Sequence, residues 1–345
     1  MTRFAALLVA WNGESWIGDC LESLLAQQPI PDLFAVDNGS SDATLARLRE
    51  AGGRFVAGGA RAEVIASGTN LGFTAGANLA LGAALGAGEA DALLLLNQDA
   101  VLEPGTLAAF AGRFEADPRA AALGPRILDR DGRTIQHAGG RIEPPRFEGL
   151  HLGHHEPADS EEFRSPREVD YLTGAALALR AAALREVGLF DELFSPGYYE
   201  DADLCFRLRR AGWRVLYEPD ASARHVESAS FHDRDGRLAL SERNRLLFAA
   251  KWMDSAGFGA AWLEAERKRL AGASADERRA LASGAFQALL RLDRARGEGW
   301  SAGTSRRPAL AALAAAFAAA RREALDSLHE EALRAIDVAA KRAEI

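Results

Sequence analysis

The 345-residue chain has only two cysteines, Cys20 and Cys205. Two cannot build a disulfide framework or a complete zinc site, so a reducing, cytoplasmic setting is the expectation. Long apolar runs are also missing. No stretch reaches the ~18 residues a membrane-spanning helix needs, and Ala309 to Ala320, which comes nearest, is short and mostly alanine. The apolar run at the start is cut by Trp11-Asn12-Gly13-Glu14 and lacks a small-residue cleavage pattern, so it reads as a buried strand rather than a signal peptide. Excess positive charge is absent as well: the formal charge is −8, which argues against nucleic acid as a partner. Two phosphate motifs do not occur. The glycine-rich segment Asn70 to Asn78 is not followed by Gly-Lys-Ser/Thr, and no Gly-x-Gly-x-x-Gly follows the first strand. There are no internal repeats.

What remains is an ordinary folded composition, 48% hydrophobic and 26% charged, long enough for a catalytic core plus an appendage. Charge is unevenly spread. Residues 231–345 hold 20 Lys and Arg against 16 Asp and Glu, whereas residues 1–230 hold 21 against 33. An acidic core over residues 1–235 and a mildly basic helical region over 236–345 are expected. Taken alone, the basic region is explained better by a solvated helix face than by contact with a partner or an anionic surface.

Apolar runs and helical periodicities alternate through the first hundred residues. Strands are expected at Phe4–Ala10, Leu33–Val36, Glu63–Ser67 and Ala92–Leu96, with helices at Trp16–Gln27, Asp42–Ala51 (ending at Gly52-Gly53) and Ala75–Gly86. Such alternation over short connections predicts an α/β fold with a doubly wound, mainly parallel sheet flanked by helices. Loops and a hairpin are expected over 129–168, strands at Tyr171–Leu179 and Trp213–Tyr217, and helix from Ser241 onward, broken near 271–274 and 298–307.

In an open parallel sheet, ligands bind at the carboxyl ends of the strands. Three polar strand ends therefore draw notice: Asn12 with Gly13, Asp37 with Asn38, and Asn97-Gln98-Asp99. Asp37 suits a nucleobase or ribose contact, and equally a turn or helix cap. Asp99, ending a buried strand, suits a hard divalent cation, Mg²⁺ or Mn²⁺, or else a plain turn. Glu200, Asp201 and Asp203 place three carboxylates within four positions after an aromatic, glycine-containing stretch. They suit a general base beside a sugar pocket, or an acidic first helical turn. His225 is a candidate further metal ligand. His151, His154 and His155 lie in a Gly/Pro/acid loop away from any strand end and are set aside as ligands.

Taken in order, these elements resemble the family 2 glycosyltransferases of the GT-A fold, in particular the bacterial rhamnosyltransferase-like branch. The resemblance spans about the first 230–250 residues. It rests on Val9-Ala10-Trp11-Asn12, Val36 to Thr44, Asn70-x-Gly72 with Asn78, and Asn97-Gln98-Asp99. Gly188 to Glu192, Glu200 to Leu204, His225 and Arg243-Asn244 complete it. It implies a GT-A-type mixed, mainly parallel sheet with an α-helical C-terminal extension, and an inverting transfer from a nucleotide-diphosphate sugar, rhamnose by family weight, to a glycan or lipid-linked acceptor. By position, Asn12, Asp37, Asn70, Gly72, Asn78 and Asn97 would line the donor. Asp99 would hold the metal with His225, and Asp201 would act as base beside Glu200. The family's metal motif is often Asp-x-Asp; Asn97 at its first position removes a charge and implies that metal arrives mainly with the donor. Peripheral attachment to the inner membrane face through Arg243–Trp252, and a homodimer, are further uses open to the C-terminal region.

Two other readings bear on the same residues. A nucleotidyltransferase would carry a basic, Gly-rich loop after the first strand, and Trp11 to Trp16 offers one glycine and no base. A non-catalytic nucleotide-sugar-binding or scaffold protein would be free to lose Asp99, Glu200, Asp201 and His225, all of which are present.

Overall fold

A computed structural model describes residues 2–226, 234–252 and 260–297. The first part alternates β1 (Phe4–Ala10), α1 (Ile17–Leu25), β2 (Asp32–Asp37), α2 (Thr44–Ala57), β3 (Ala62–Ala66), α3 (Phe73–Ala87) and β4 (Ala92–Asn97). There follow β5 (Ala100–Leu102), α4 (Thr106–Ala116), β6 (Ala120–Asp129), β7 (Ile135–His137), β8 (Gly140–Glu143) and β9 (Glu148–His151). Next come β10 (Arg167–Glu168), β11 (Ala176–Arg180), α5 (Ala181–Val187), α6 (Glu200–Arg210) and β12 (Arg214–His225). Helices α7 (Arg234–Trp252), α8 (Ala260–Gly272) and α9 (Ala275–Gly297) complete the described chain. The apolar run Ala309–Ala320 and the break expected near 298–307 lie outside the described residues.

The main sheet has the order β10-β12-β6-β11-β4-β1-β2-β3 and is mixed but mainly parallel, with β11 antiparallel to both its neighbours. β1 is apolar throughout because it lies inside the sheet, parallel to β2 on one side and β4 on the other, with helices over its faces. Its alternate residues Ala6, Leu8 and Ala10 join Ile17, Leu21 and Leu24 of α1, Leu48 and Phe55 of α2 and Phe110 of α4 in one core. Each large side chain fully buried there contributes about 1.5–3 kcal/mol, so the strand ends that carry polar residues project from a rigid floor.

Three elements differ from expectation. α2 runs through Gly52-Gly53 to Ala57, because Gly52 faces the sheet with room for contact at Ala62 and Val64; the stop falls at Gly58 and Gly59, the latter at φ +86°. β11 starts at Ala176, five residues after Tyr171. β12 continues past Glu218-Pro219-Asp220 to His225, absorbing the turn-like segment in a register shift between Glu218 and Ser222. Pro219 is tolerated there because the shifted residues make no ladder bonds.

The chain forms two compact units, Met1–Ile142 with Gly149–Ser230 and Glu143–Glu148 with Phe231–Ile345. In the second unit, α9 opens on a reciprocal cap: Ser274 N donates to Glu277 Oε2 at 2.8 Å and Glu277 N to Ser274 Oγ at 3.2 Å. Gly284 of α9 lies against the Ala239 carbonyl and Glu242 of α7, where a Cβ would strike backbone. Arg245, buried, bridges Glu242 at 3.0 Å and Glu266 at 2.8 Å, and Arg269 joins Glu242 at 2.8 Å and Glu148 at 2.9 Å. Arg243 donates to Asn244 at 2.9 Å, and burial together with nearby Arg291 pulls its guanidinium down to about 10. No described helix is long and apolar enough to cross a membrane.

Candidate active site

The carboxyl ends of β1, β2 and β4 carry three polar turns, and each is tied to a neighbour. Asn12 sits at φ +47°, a conformation asparagine adopts more readily than most residues. Its Oδ1 accepts from Ser41 N at 2.8 Å and Ser41 Oγ at 3.2 Å, so the side chain binds the β1 turn to the β2 turn. Gln98 grips the same turn from the other side: Trp11 N donates to its Oε1 at 3.0 Å and its Nε2 donates to Trp11 O at 3.1 Å. Gly13 packs so closely on that amide that no Cβ fits.

Asp37 suits a ligand contact, a turn or a helix cap, and it does not cap α2, whose N-cap is Ala43 without a side-chain cap; Asp42 Oδ1, just before it, accepts from Thr44 N at 3.0 Å. Asp37 is 3% exposed, its Oδ2 takes one long bond from Ser40 N at 3.4 Å, and its Oδ1 is buried with no partner. A buried carboxylate oxygen without a donor is costly unless something supplies one. Beside it, Asn38 clamps the glycine-rich loop: Leu71 N donates to its Oδ1 at 2.9 Å, and its Nδ2 donates to Gly72 O at 3.1 Å and to Asn70 Oδ1 at 3.2 Å. Asn70 Oδ1 also accepts from Gly72 N at 2.8 Å. Gly72, at φ +81°, presses against Pro196, and Thr74 N donates to Pro196 O at 3.1 Å. The loop thus abuts the segment leading into α6.

Asn78 is placed elsewhere than expected. Both ends of its amide are spent on Phe190, accepting from its N at 3.0 Å and donating to its O at 3.0 Å. It holds the Gly188–Asp191 turn instead of presenting its amide to a donor.

At β4, Asn97 and Asp99 meet His225, because β5 pairs with the end of β12 and sets Ala100 opposite His225. His225 Nε2 lies 3.3 Å from Asp99 Oδ1 and 3.3 Å from Asn97 Nδ2, and its Nδ1 is 2.7 Å from Gln136 Oε1. Gln136 can only accept through that oxygen, so the neutral imidazole carries its proton on Nδ1 and turns the Nε2 lone pair toward Asp99. A carboxylate oxygen and an imidazole nitrogen at this separation suit adjacent positions on a divalent cation. Among the described residues no group of three His, Cys, Asp or Glu side chains is placed to hold a metal, so the pair would leave most of a shell to phosphate oxygens and water. His137 and His151 face each other at 3.1 Å through Nδ1, and His154 stacks on His155.

The three carboxylates of α6 divide. Asp203 is fully buried and paired at 2.9 Å with Arg207, whose other N–H groups hold the carbonyls of Val187, Gly188 and Leu189. That carboxylate is structural. Asp201 is half-buried; its Oδ2 accepts from Gly174 N at 3.0 Å and its Oδ1 from Ala202 N at 2.7 Å. Burial pushes its carboxyl up against those two bonds. Glu200 is 4% exposed with Oε2 unpartnered, and burial, then the Asp201 charge, raises its carboxyl well above the usual range. Tyr198 and Tyr199, both left-handed at φ +73° and +70°, lead into it, a strained entry of the kind found at working sites. The metal-type pair and Asp201 are linked through one turn: Gly174 bonds Asp201, and the next residue, Ala175, accepts from Asn97 N at 2.9 Å. Both cysteines are free and buried, and burial raises the thiol of Cys205 to about 12.

Sequence reasoning missed Gln136, and left Gln98 and Asn38 without a role. Their contacts span 89, 87 and 33 residues, and only the placement of Gln98 beside Asp99 hinted at importance.

Comparison with known proteins bears on the family and the fold. A family model described as "Glycosyltransferase like family 2" matches residues 2–246. The chain is 34% identical over 248 residues to N-acetylglucosaminyl-diphospho-decaprenol L-rhamnosyltransferase of Mycobacterium tuberculosis, covering 66% of this chain and 77% of that one. It is 33% identical over 154 residues to the pre-mycofactocin glycosyltransferase of the same organism, covering 44% and 30%. In fold it is similar to the mannosyltransferase PcManGT of Pyrobaculum calidifontis, solved with GDP-Man and Mn²⁺ (TM-score 0.52, 17% identity, 95% and 88% covered). S. aureus TarS 1-349 with UDP-GlcNAc is comparable (TM-score 0.53, 15% identity, 93% and 92% covered).

Proposed function

The chain belongs to the family 2 glycosyltransferases, and from that premise we propose that it transfers rhamnose, with inversion, from a deoxythymidine-diphosphate donor to a hydroxyl of a lipid-linked glycan acceptor. The fold is the GT-A fold, and the chain is a glycosyltransferase. The choice of rhamnose and of a lipid-linked acceptor is supported by the name of the mycobacterial relative, an N-acetylglucosaminyl-diphospho-decaprenol L-rhamnosyltransferase.

The observation that carries the reading is the Asp99–His225 pair beside Asn97, whose N–H is bonded to Ala175, next in sequence to the Gly174 that holds Asp201. A divalent cation held by Asp99 and His225 would supply positive charge to the departing nucleoside diphosphate. Asp37, with its unsatisfied Oδ1, accepts from the base or ribose, and the loop pinned by Asn38 and Asn70 borders the donor. Asp201 takes the proton of the acceptor hydroxyl as its oxygen bonds to the anomeric carbon from the face opposite the diphosphate. The bond from that carbon to the diphosphate oxygen breaks, and the leaving group departs with the electron pair. Asp201 suits this work because its backbone donors fix its orientation while burial keeps it basic. Glu200 lies beside it, facing sugar hydroxyls. The basic excess over residues 231–345 supports contact with an anionic membrane surface, where a lipid-linked acceptor resides.

The test is thermal stability against a panel of nucleoside diphosphates with and without Mn²⁺, followed by transfer assays with the matching sugars. Stabilisation by thymidine diphosphate, larger with Mn²⁺, and transfer from its rhamnose conjugate are expected. No stabilisation by any nucleotide at millimolar concentration would sink the reading in favour of a non-catalytic scaffold.

A further inference from the structure

We propose that Gln136 is a positioning residue that sets the tautomer and ring orientation of His225, so that Nε2 is presented as a lone pair beside Asp99; this rests on the reading of Asp99 and His225 as the cation's ligands.

The chain of constraints begins in the β6–β7 hairpin. Asp129 N donates to Thr134 O at 2.9 Å, Gly132 N donates to Asp129 O at 2.8 Å, and Gly132 closes the turn at φ +72°. Thr134 Oγ1 donates to Asp129 Oδ2, which fixes that carboxylate. Asp129 Oδ1 then faces Gln136 Nε2 at 3.5 Å. A carboxylate can only accept, so the amide must turn its nitrogen toward Asp129 and its oxygen toward His225. At 2.7 Å that oxygen takes the Nδ1 proton. The opposite tautomer would put an N–H between the ring and Asp99, and that ring could not ligate. Gln136 is 6% exposed, so water cannot readily substitute for it. A neutral amide does this without placing another anion beside the metal ligands, and outer partners of ligating histidines contribute strongly to metal affinity.

The full-length protein would be titrated with Mn²⁺ at saturating thymidine diphosphate, following free Mn²⁺ by electron paramagnetic resonance. Gln136→Leu is expected to weaken Mn²⁺ about 10–100-fold, with its melting temperature in the absence of metal unchanged. The double variant Asp129→Asn with Gln136→Glu keeps an acceptor on Nδ1 and a donor behind it, and is expected to restore affinity to within about threefold. His225→Ala is the control. If it weakens Mn²⁺ by tenfold or more while Gln136→Leu does not, the inference about Gln136 is overturned and the ligand assignment stands. If Gln136→Leu is weak, the double variant is no better and both melt early without metal, Gln136 is a packing residue and the inference is again overturned. If His225→Ala binds Mn²⁺ normally, the ligand assignment itself fails and takes the inference with it.

Discussion

Replacing Glu200 by glutamine tests the electrostatic reading of the site directly. Oε2 of Glu200 is buried without a donor, and burial, then the Asp201 charge, raises the carboxyl well above its usual range. A carboxyl whose folded pKa is raised holds its proton more tightly in the folded state. Stability it lends is therefore full below the unfolded value, about 4.3, and falls as pH rises through the folded value. Above that, the ionised group costs the fold about 1–3 kcal/mol as an unsatisfied buried oxygen, more if no water reaches it. Glutamine keeps the shape and removes the charge. Glu200→Gln should raise the melting temperature at pH 8 by about 2–12 °C, taking ~2–4 °C per kcal/mol for a domain of this size. At pH 4.5 the gain should shrink toward zero, while transfer activity falls. Melting curves of both proteins from pH 4.5 to 8 decide it. A gain that is independent of pH, or largest in acid, would refute the reasoning.

Asp201→Asn should lower transfer about 10²–10⁴-fold while thymidine diphosphate still stabilises the protein, read by nucleotide release and thermal shift; near-wild-type transfer would remove Asp201 as base. Arg245→Ala leaves Glu242 and Glu266 short of a buried counter-charge and should destabilise by about 3–5 kcal/mol, seen as early melting of the second unit. Burial pushes the Glu242 carboxyl up, but Arg245 and Arg269 outweigh it and hold it low. That network's stability should be present above about pH 4.3 and be lost as pH falls through the lowered value. Glycine-to-alanine changes should have opposite signs at two helical sites. Gly82→Ala in α3 meets nothing and should stabilise by about 0.5–1 kcal/mol, whereas Gly284→Ala drives a Cβ into the Ala239 carbonyl and should destabilise by about 1–3 kcal/mol. Equal signs in chemical denaturation would show that α7 and α9 do not approach closely.

The floor of the fold was legible because it is written in periods. Phe4–Ala10 and Leu93–Leu96 are continuous apolar runs, as strands inside a sheet covered on both faces require. Glycine misled at Gly52-Gly53, which lie inside α2 with room for a side chain, and proline misled at Pro219, which sits in a register shift inside one long strand. The three carboxylates of α6 were read as one cluster, although the four-residue spacing of Asp203 and Arg207 already marks a helical ion pair. The role of Gln136 was not legible. Its meaning depends on a histidine 89 residues away, brought beside it by the parallel pairing of β6 with β12. Nothing local distinguishes a strand glutamine with such a partner from one facing solvent.

Carboxamides recur around the crevice for a physical reason. Asn38, Asn78 and Gln98 each hold a turn by accepting from one backbone N–H and donating to one backbone C=O. An aspartate could make only the first of these bonds, and a lysine only the second. Either would also add charge to a site already carrying the carboxyl groups of Asp37, Asp99, Glu200 and Asp201. The turn after β4 completes the division of labour, since Asn97 and Asp99 contact His225 while Gln98 between them is bonded to Trp11. Neutral carboxamides thus hold three of these turns, and Asp37 and Glu200 each keep a carboxylate oxygen that no protein donor meets. This explains how an acidic crevice can be rigid before any ligand arrives, and why Asp37 and Glu200 can each keep an unsatisfied oxygen within it.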